Sequence, residues 1–301
     1  MRSKKTISRR QFIKNTSVAA IGGSLFLGAP GITFGQDEKS AAKTKVVLIR
    51  NKDVLDEKGT PRYEVVQEML DTAIKTLTGK KDILEAWKTL IKPNDIVGIK
   101  TNVWNYIPTT KQVEDSLKKR VMDAGVAEGN IAIDDHGVLK NPVFQKATAL
   151  INARPMRSHH WAGVGTLLKN YIMFDPVPSS YHPDSCADLA KLWQLPNVKG
   201  KTRLNVLVMF TPQFHGVGPH NFSPQYVWKY YGLIVGFDPV AIDATGLRII
   251  EAMRKQHFGE DRPLNPPAKH ILLADTRHHL GTADPNKIEL IKLGYTEGIL
   301  I

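Results

Sequence analysis

Lys92-Pro93-Asn94-Asp95-Ile96-Val97-Gly98-Ile99-Lys100-Thr101-Asn102 is the stretch on which the fold turns. Its first four residues end a helix, because proline lacks the donor a helix interior needs and biases the residue before it toward extended angles. The short apolar run over 95–101 then suits a strand buried on both faces. Upstream, the apolar run 45–50 reads as another strand. Val66, Leu70, Ile74 and Leu77 fall at helical spacing, and 83–91 is a second helix. Downstream, 110–124 is a basic amphipathic helix and 130–134 a strand. Strand, helix, strand, helix, strand in that order implies an α/β fold: a mostly parallel central sheet flanked by helices on both faces. Ligands of such sheets sit beyond the carboxyl ends of the strands. Here those ends carry Lys100, Thr101 and Asn102 on one strand, and Asp134, Asp135 and His136 on another.

The second half is less regular. A helix is expected over 162–173, a strand over 204–210 and a long ordered loop over 211–224, where Pro212, Gly216, Gly218, Pro219 and Pro224 punctuate the chain. A strand over 232–237 leads to Asp238-Pro239, which opens a helix to about residue 256. Two further helices are expected over 268–279 and 285–293. With no internal repeat, low-complexity tract or linker, 45–301 reads as a single large domain behind a polar leader, 36–44.

The chain has 301 residues, 42% hydrophobic and 23% charged, with 41 Lys+Arg against 29 Asp+Glu and a formal net charge of +12. That composition excludes a disordered, collagen-like or multi-span membrane protein. Six of the basic residues and no acid lie before the small-residue run 18–29, the layout of a secretory signal too short to span a bilayer. Within it, Ser8-Arg9-Arg10-Gln11-Phe12-Ile13-Lys14 closely resembles the twin-arginine translocation signature. The resemblance implies a signal peptide over 1–35, export of an already folded protein by the Tat machinery, and a periplasmic or other extracytoplasmic location. The mature chain then keeps 35 basic against 29 acidic residues, a modest +6. Export and the lack of a binding module argue against nucleic acid as partner, and no membrane span is expected in the mature protein. With Cys186 as the one cysteine, an internal disulfide, an iron–sulfur cluster and a four-cysteine zinc site are all excluded within one chain. Cys186 is expected to be buried as a small hydrophobe.

Four segments in order are similar to the bacterial family known as domain of unknown function 362. They are the 92–102 stretch, Ala162-Gly-Val-Gly-Thr-Leu-Leu-Lys169-Asn170, Gly236-Phe-Asp238-Pro239-Val-Ala-Ile-Asp243, and the ending from His270-Ile-Leu-Leu-Ala-Asp275 to Gly294. The resemblance spans roughly 45–294. Some relatives carry ferredoxin-like cysteine motifs, which this chain lacks, so it does not carry over their redox role.

Lys100 and Asn102 project to the same side of an extended strand, where a point charge and a directional donor suit a carboxylate or phosphate. Of the adjacent His159 and His160, only one can face a site from a regular strand; His160 is the expected acid or base. Lys169 and Asn170 lie two turns into the expected helix 162–173, as catalytic and binding groups. Asp238 reads as an N-cap. Asp243 sits among Ala241, Ala244 and Gly246, where a carboxylate needs a partner: Lys100, Lys169 or a metal. Asp238 and Asp243 near His160 would suit a divalent cation. His215, in the same loop as His220, reads as a pocket wall. Two functions remain open: an exported enzyme acting on a small anionic or oxygen-rich molecule, with or without metal assistance, or a non-catalytic ligand or cofactor carrier serving a redox partner.

Overall fold

Val46 and Leu48 face one side of the first strand and Val47 and Ile49 the other, and both sides are buried. This follows from a strand's twofold alternation when both faces of its sheet are covered. The computed structural model describes residues 42–216 and 222–301, which form one unit. The twin-arginine segment, the leader up to residue 41 and His220 lie outside the described residues. None of the described helices is long and apolar enough to cross a membrane.

The strands are β1 (Thr44–Arg50), β2 (Val97–Lys100), β3 (Ile131–Asp134), β4 (Ala149–His159), β5 (Gly163–Gly165), β6 (Thr202–Gln213), β7 (Gly232–Gly236) and β8 (Ile288–Gly294). Seven form a sheet in the order β3-β2-β4-β6-β7-β1-β8, and β5 hairpins back onto β4. The pairs β2·β3, β2·β4, β4·β6 and β1·β8 are parallel, whereas β7 runs antiparallel to both β6 and β1. Among the described residues the helices are α1 (Tyr63–Thr78), α2 (Ile83–Leu90), α3 (Lys111–Asp123), α4 (Pro142–Lys146), α5 (Leu167–Asn170), α6 (Pro239–Phe258) and α7 (Lys269–Thr276), besides a short turn at Pro183–Cys186 in which Asp184 and Ser185 have positive φ. Apolar residues of α1, α2 and α3 cover one face, packing on Val47, Val97, Ile151, Val206 and Val235. Those of α4 to α7 cover the other, against Val46, Leu150, Leu207 and Ile234. The mostly parallel sheet between two helical layers is the architecture the sequence implies.

Caps set the helix ends where turn chemistry predicts. Asp82 accepts from Glu85 N–H (2.9 Å) at the start of α2. Asp238 accepts from Val240 N–H (2.8 Å) and Ala241 N–H (3.1 Å), with Pro239 in the first turn of α6. Gly79 (φ +69°) closes α1 in the left-handed region.

Three expectations need correction. The stretch expected as a helix over 285–293 is a single 3-10 turn, Pro285–Lys287, followed by edge strand β8, since Ile288 to Gly294 register against Thr44 to Arg50 of β1. The expected helix 162–173 opens instead as β5, because Gly163 (φ +73°) passes so close to the chain that a Cβ would lie 2.6 Å from the Pro266 carbonyl oxygen. Helix begins only at Leu167 and passes into a 3-10 turn, Tyr171–Phe174. The expected loop 211–224 starts later, since β6 runs on to Gln213.

Candidate functional site

Because β2, β3, β4 and β6 are parallel, their carboxyl ends share one edge of the sheet. The chain leaves β2 outward to β3 and leaves β4 inward to β6, so strand order reverses between β2 and β4. Ligands of open α/β sheets bind at such a crevice. A cavity of about 340 Å3 lies there, lined by the segments after β2 and β3, by β4 and α5, and by residues 172–182. In volume it falls within the range of small-molecule pockets.

Three cations are buried in its lining. Arg154 is 3% exposed, Arg157 3% and Lys169 5%. The register breaks between Pro155 and Arg157, where two steps along β4 face five along β6, from Val208 to Gln213, and both arginines, three apart in sequence, reach the same cavity. Gly165 makes room for one of them: a Cβ there would stand 2.6 Å from Arg154 Nη2. Arg154 donates to the carbonyls of Thr166 (3.0 Å) and Pro155 (3.3 Å). Arg157 lies over the Trp104 ring, 4.2 Å from its centroid, and its Nε and Nη1 have no hydrogen-bond partner among the described residues. Lys169 Nζ has a thiol beside it, Cys186 Sγ at 3.8 Å. Burial is the main reason that Arg154 is lowered to about 10, Lys169 to about 8, and Arg157 well below its ordinary value. Cys186 is buried, as expected, and burial pushes its thiol up against the opposing pull of Lys169.

One carboxylate lines the cavity, Asp135, and its oxygens are already engaged. Oδ1 pairs with Lys100 Nζ and Oδ2 accepts from Val103 N–H (2.9 Å). Burial works against the charge of Asp135, but the charge and hydrogen bond of Lys100 and the Val103 amide outweigh it and hold the carboxyl below its ordinary range. Lys100 is fully buried and also donates to Thr101 O (2.7 Å) and Asn170 Oδ1 (3.5 Å); burial lowers it to about 8 against the pull of Asp135. Asn170 Nδ2 donates in turn to Asn152 Oδ1 (2.8 Å), and Asn152 to Asn205 Oδ1 (3.3 Å). Lys100 thus braces the site rather than lining it, in contrast to the expected binding role.

Asn102, Lys169 and Asn170 line the cavity, as the sequence suggests. His160 does not. It borders an adjoining cavity of about 390 Å3 together with His215 and Arg254, and His159 lines both cavities. His159, the last residue of β4, is therefore the inward histidine. Its Nδ1 accepts from Trp161 N–H (3.2 Å), which places the proton of the neutral ring on Nε2. Burial, then Lys169 and Arg154, hold its basicity far below the usual range. His182 is lowered to about 4, by burial and by Lys169 and His160. The His159 and His160 rings lie 5.0 Å apart, and His215 Nδ1 lies 3.0 Å from Arg254 Nη1.

The expected pair of aspartates does not form a cation site. Reversal of β7 carries Asp238 to the opposite edge of the sheet, where Gly236 registers against Val46 and Asn205 at the strand beginnings. There it caps α6 and accepts from Thr282 N–H (2.9 Å). Asp243 is fully buried and meets neither lysine nor His160. Its two oxygens accept from Leu167 N–H and Leu168 N–H, both at 2.9 Å, and so fix the start of α5, which carries Lys169 and Asn170 to the cavity. Burial raises its carboxyl to about 7 despite those bonds. Among the described residues, no three His, Cys, Asp or Glu side chains are grouped to hold a metal ion.

Sequence reasoning missed Arg154 and Arg157, chose His160 over His159, and placed Asp135 at a strand end without giving it a partner. A signal existed for the strand, since 147–153 is nearly all apolar, but none for the register break between the two arginines. Comparison with family models, with curated proteins and with solved structures finds no match to the chain.

Proposed function

We propose that this chain binds a small organic anion between the carboxyl ends of β2 and β4 and acts on it by proton transfer, as an exported enzyme of the domain of unknown function 362 type. The observation that carries the reading is the charge of the cavity. Arg154, Arg157 and Lys169 are withdrawn from water around it while its carboxylate, Asp135, is spent on Lys100. Burying a cation costs several kcal/mol unless a counter-charge and hydrogen bonds meet it. A bound anion supplies both, and the planar guanidinium groups of Arg154 and Arg157 suit a carboxylate or phosphate.

His159 takes the role first expected of His160. Its Nε2–H is a neutral donor at the cavity wall, and an anion that neutralises the surrounding cations restores its basicity, which is what a general acid–base group needs. Asp243 acts through α5 as a positioning residue. The basic leader and its paired arginines support export by the Tat route.

Native mass spectrometry of the protein purified from its own cells tests the reading. The expected result is a bound organic anion in stoichiometric amount, absent from the Arg157→Met variant. A clean unliganded mass, with no anion bound on addition, would contradict it. An anion bound equally by wild type and His159→Asn, and converted by neither, would replace the enzyme with a carrier.

A further inference from the structure

The lining of the β2/β4 cavity changes character with depth. Its buried members are all polar, the cations Arg154, Arg157 and Lys169 with Asp135, His159 and Asn170, whereas its more exposed members include Val103, Trp104, Ile172, Met173 and Pro178, with Asn105 and His136 as polar neighbours. Exposed apolar side chains gather at and next to that lining. Val103 is 50% exposed, Tyr106 54%, Trp161 42% and Val177 55%. Tyr106 lies 5.2 Å from the Trp104 ring, Trp161 lies 3.9 Å from the ring of His182, another lining residue, and Val177 adjoins Pro178. Water-exposed apolar side chains gathered at a cavity mouth mark a surface that something apolar covers.

We propose that the ligand is an amphiphile with a dianionic head of the phosphate or phosphonate kind and an alkyl or aryl body. The head lies among Arg154, Arg157 and Lys169, and the body lies against Val103, Trp104 and Met173. The inference rests on the anion reading of this cavity and extends it to a class of molecule. Three cations with no uncommitted carboxylate balance a dianion better than a single charge. About 340 Å3 is several times the space a bare tetrahedral oxyanion fills, and the remaining wall offers carbon contacts. A body rich in hydroxyls would leave its polar groups facing Val103, Ile172 and Met173, at the cost of their hydration.

Calorimetric titration with inorganic phosphate, methyl-, butyl- and hexylphosphonate and phenylphosphonate tests the proposal. We expect binding throughout, tightening about fourfold for each methylene that is buried, and phenylphosphonate well ahead of methylphosphonate. In Met173→Ser the gain per methylene shrinks, whereas Arg157→Met weakens every member by a similar factor, tenfold or more. Phosphate and all phosphonates binding with equal affinity would overturn the amphiphile proposal while leaving the anion reading standing. Binding by no member of the series would defeat both.

Discussion

Lys100 and Lys169 belong to adjoining parts of the same crevice, are both buried, and are both lowered by burial to about 8, yet their surroundings differ completely. Lys100 has Asp135, a backbone carbonyl and the Asn170 carboxamide as acceptors. Lys169 has a thiol at 3.8 Å and a cavity. The same contrast separates Asp243, whose two oxygens each accept a backbone amide, from Arg157, whose Nε and Nη1 have no partner among the described residues. A buried charge with every atom matched is part of the frame. One left open is explained by a ligand that completes it.

The largest effect should come from breaking a matched pair. Lys100→Met leaves the Asp135 carboxylate buried without its cation and should cost about 3–5 kcal/mol, read from urea unfolding. Lys169→Met removes a charge that had no counter-charge, so it should leave stability within about 1 kcal/mol or raise it. Equal losses in the two variants would break the comparison. Next comes Arg157→Met, which should reduce phosphonate affinity at least tenfold in calorimetry. Its stability cost should be no more than the about 0.5–2 kcal/mol of a cation–π contact with Trp104.

Asp243→Asn sharpens the framework side. The amide can accept from one of the two α5 amides but not both, so a loss of about 1–2 kcal/mol is expected, as for a lost helix cap. The pH dependence should change as well. An aspartate that titrates near 7 when folded and near 4 when unfolded keeps a proton across that window only in the folded state. Its contribution therefore makes wild-type stability fall as pH rises from about 4 to about 7, and urea unfolding at several pH values should show that slope reduced in Asp243→Asn. The smallest effect is expected from Gly165→Ala. Its new Cβ meets the flexible end of Arg154 rather than backbone, so phosphonate affinity should fall a few-fold with little change in thermal unfolding.

Much of this frame was legible in the sequence. The strand after Pro93, the helices over 63–77 and 110–124 and the cap at Asp238 each follow from local pattern or turn chemistry, and together they imply the layered sheet. β8 was not legible, because its apolar residues Ile288, Leu290, Ile291 and Leu293 keep neither the helical nor the strand period, and pairing with β1 decides between them. Asn102, Lys169 and Asn170 were found from residue type and position. Arg154 and Arg157 were not, because residues three apart in a regular strand point to opposite faces; the register break between them is set by pairing with β6, far along the chain. Asp238 was drawn toward the site because nothing local in Gly232–Gly236 shows that β7 runs against its neighbours. His159 and His160 could be told apart only by where β4 ends.

Titration of phenylphosphonate into wild type, Arg157→Met and Lys100→Met at matched ionic strength tests the central claim most directly, provided each variant is shown to be folded at the working temperature. The account predicts one saturable site per chain in wild type, at least tenfold weaker in Arg157→Met, and weaker in Lys100→Met as well, because the Asp135 carboxylate that lines the cavity then lacks its cation. Undiminished binding in Arg157→Met, or no binding in wild type, would contradict it.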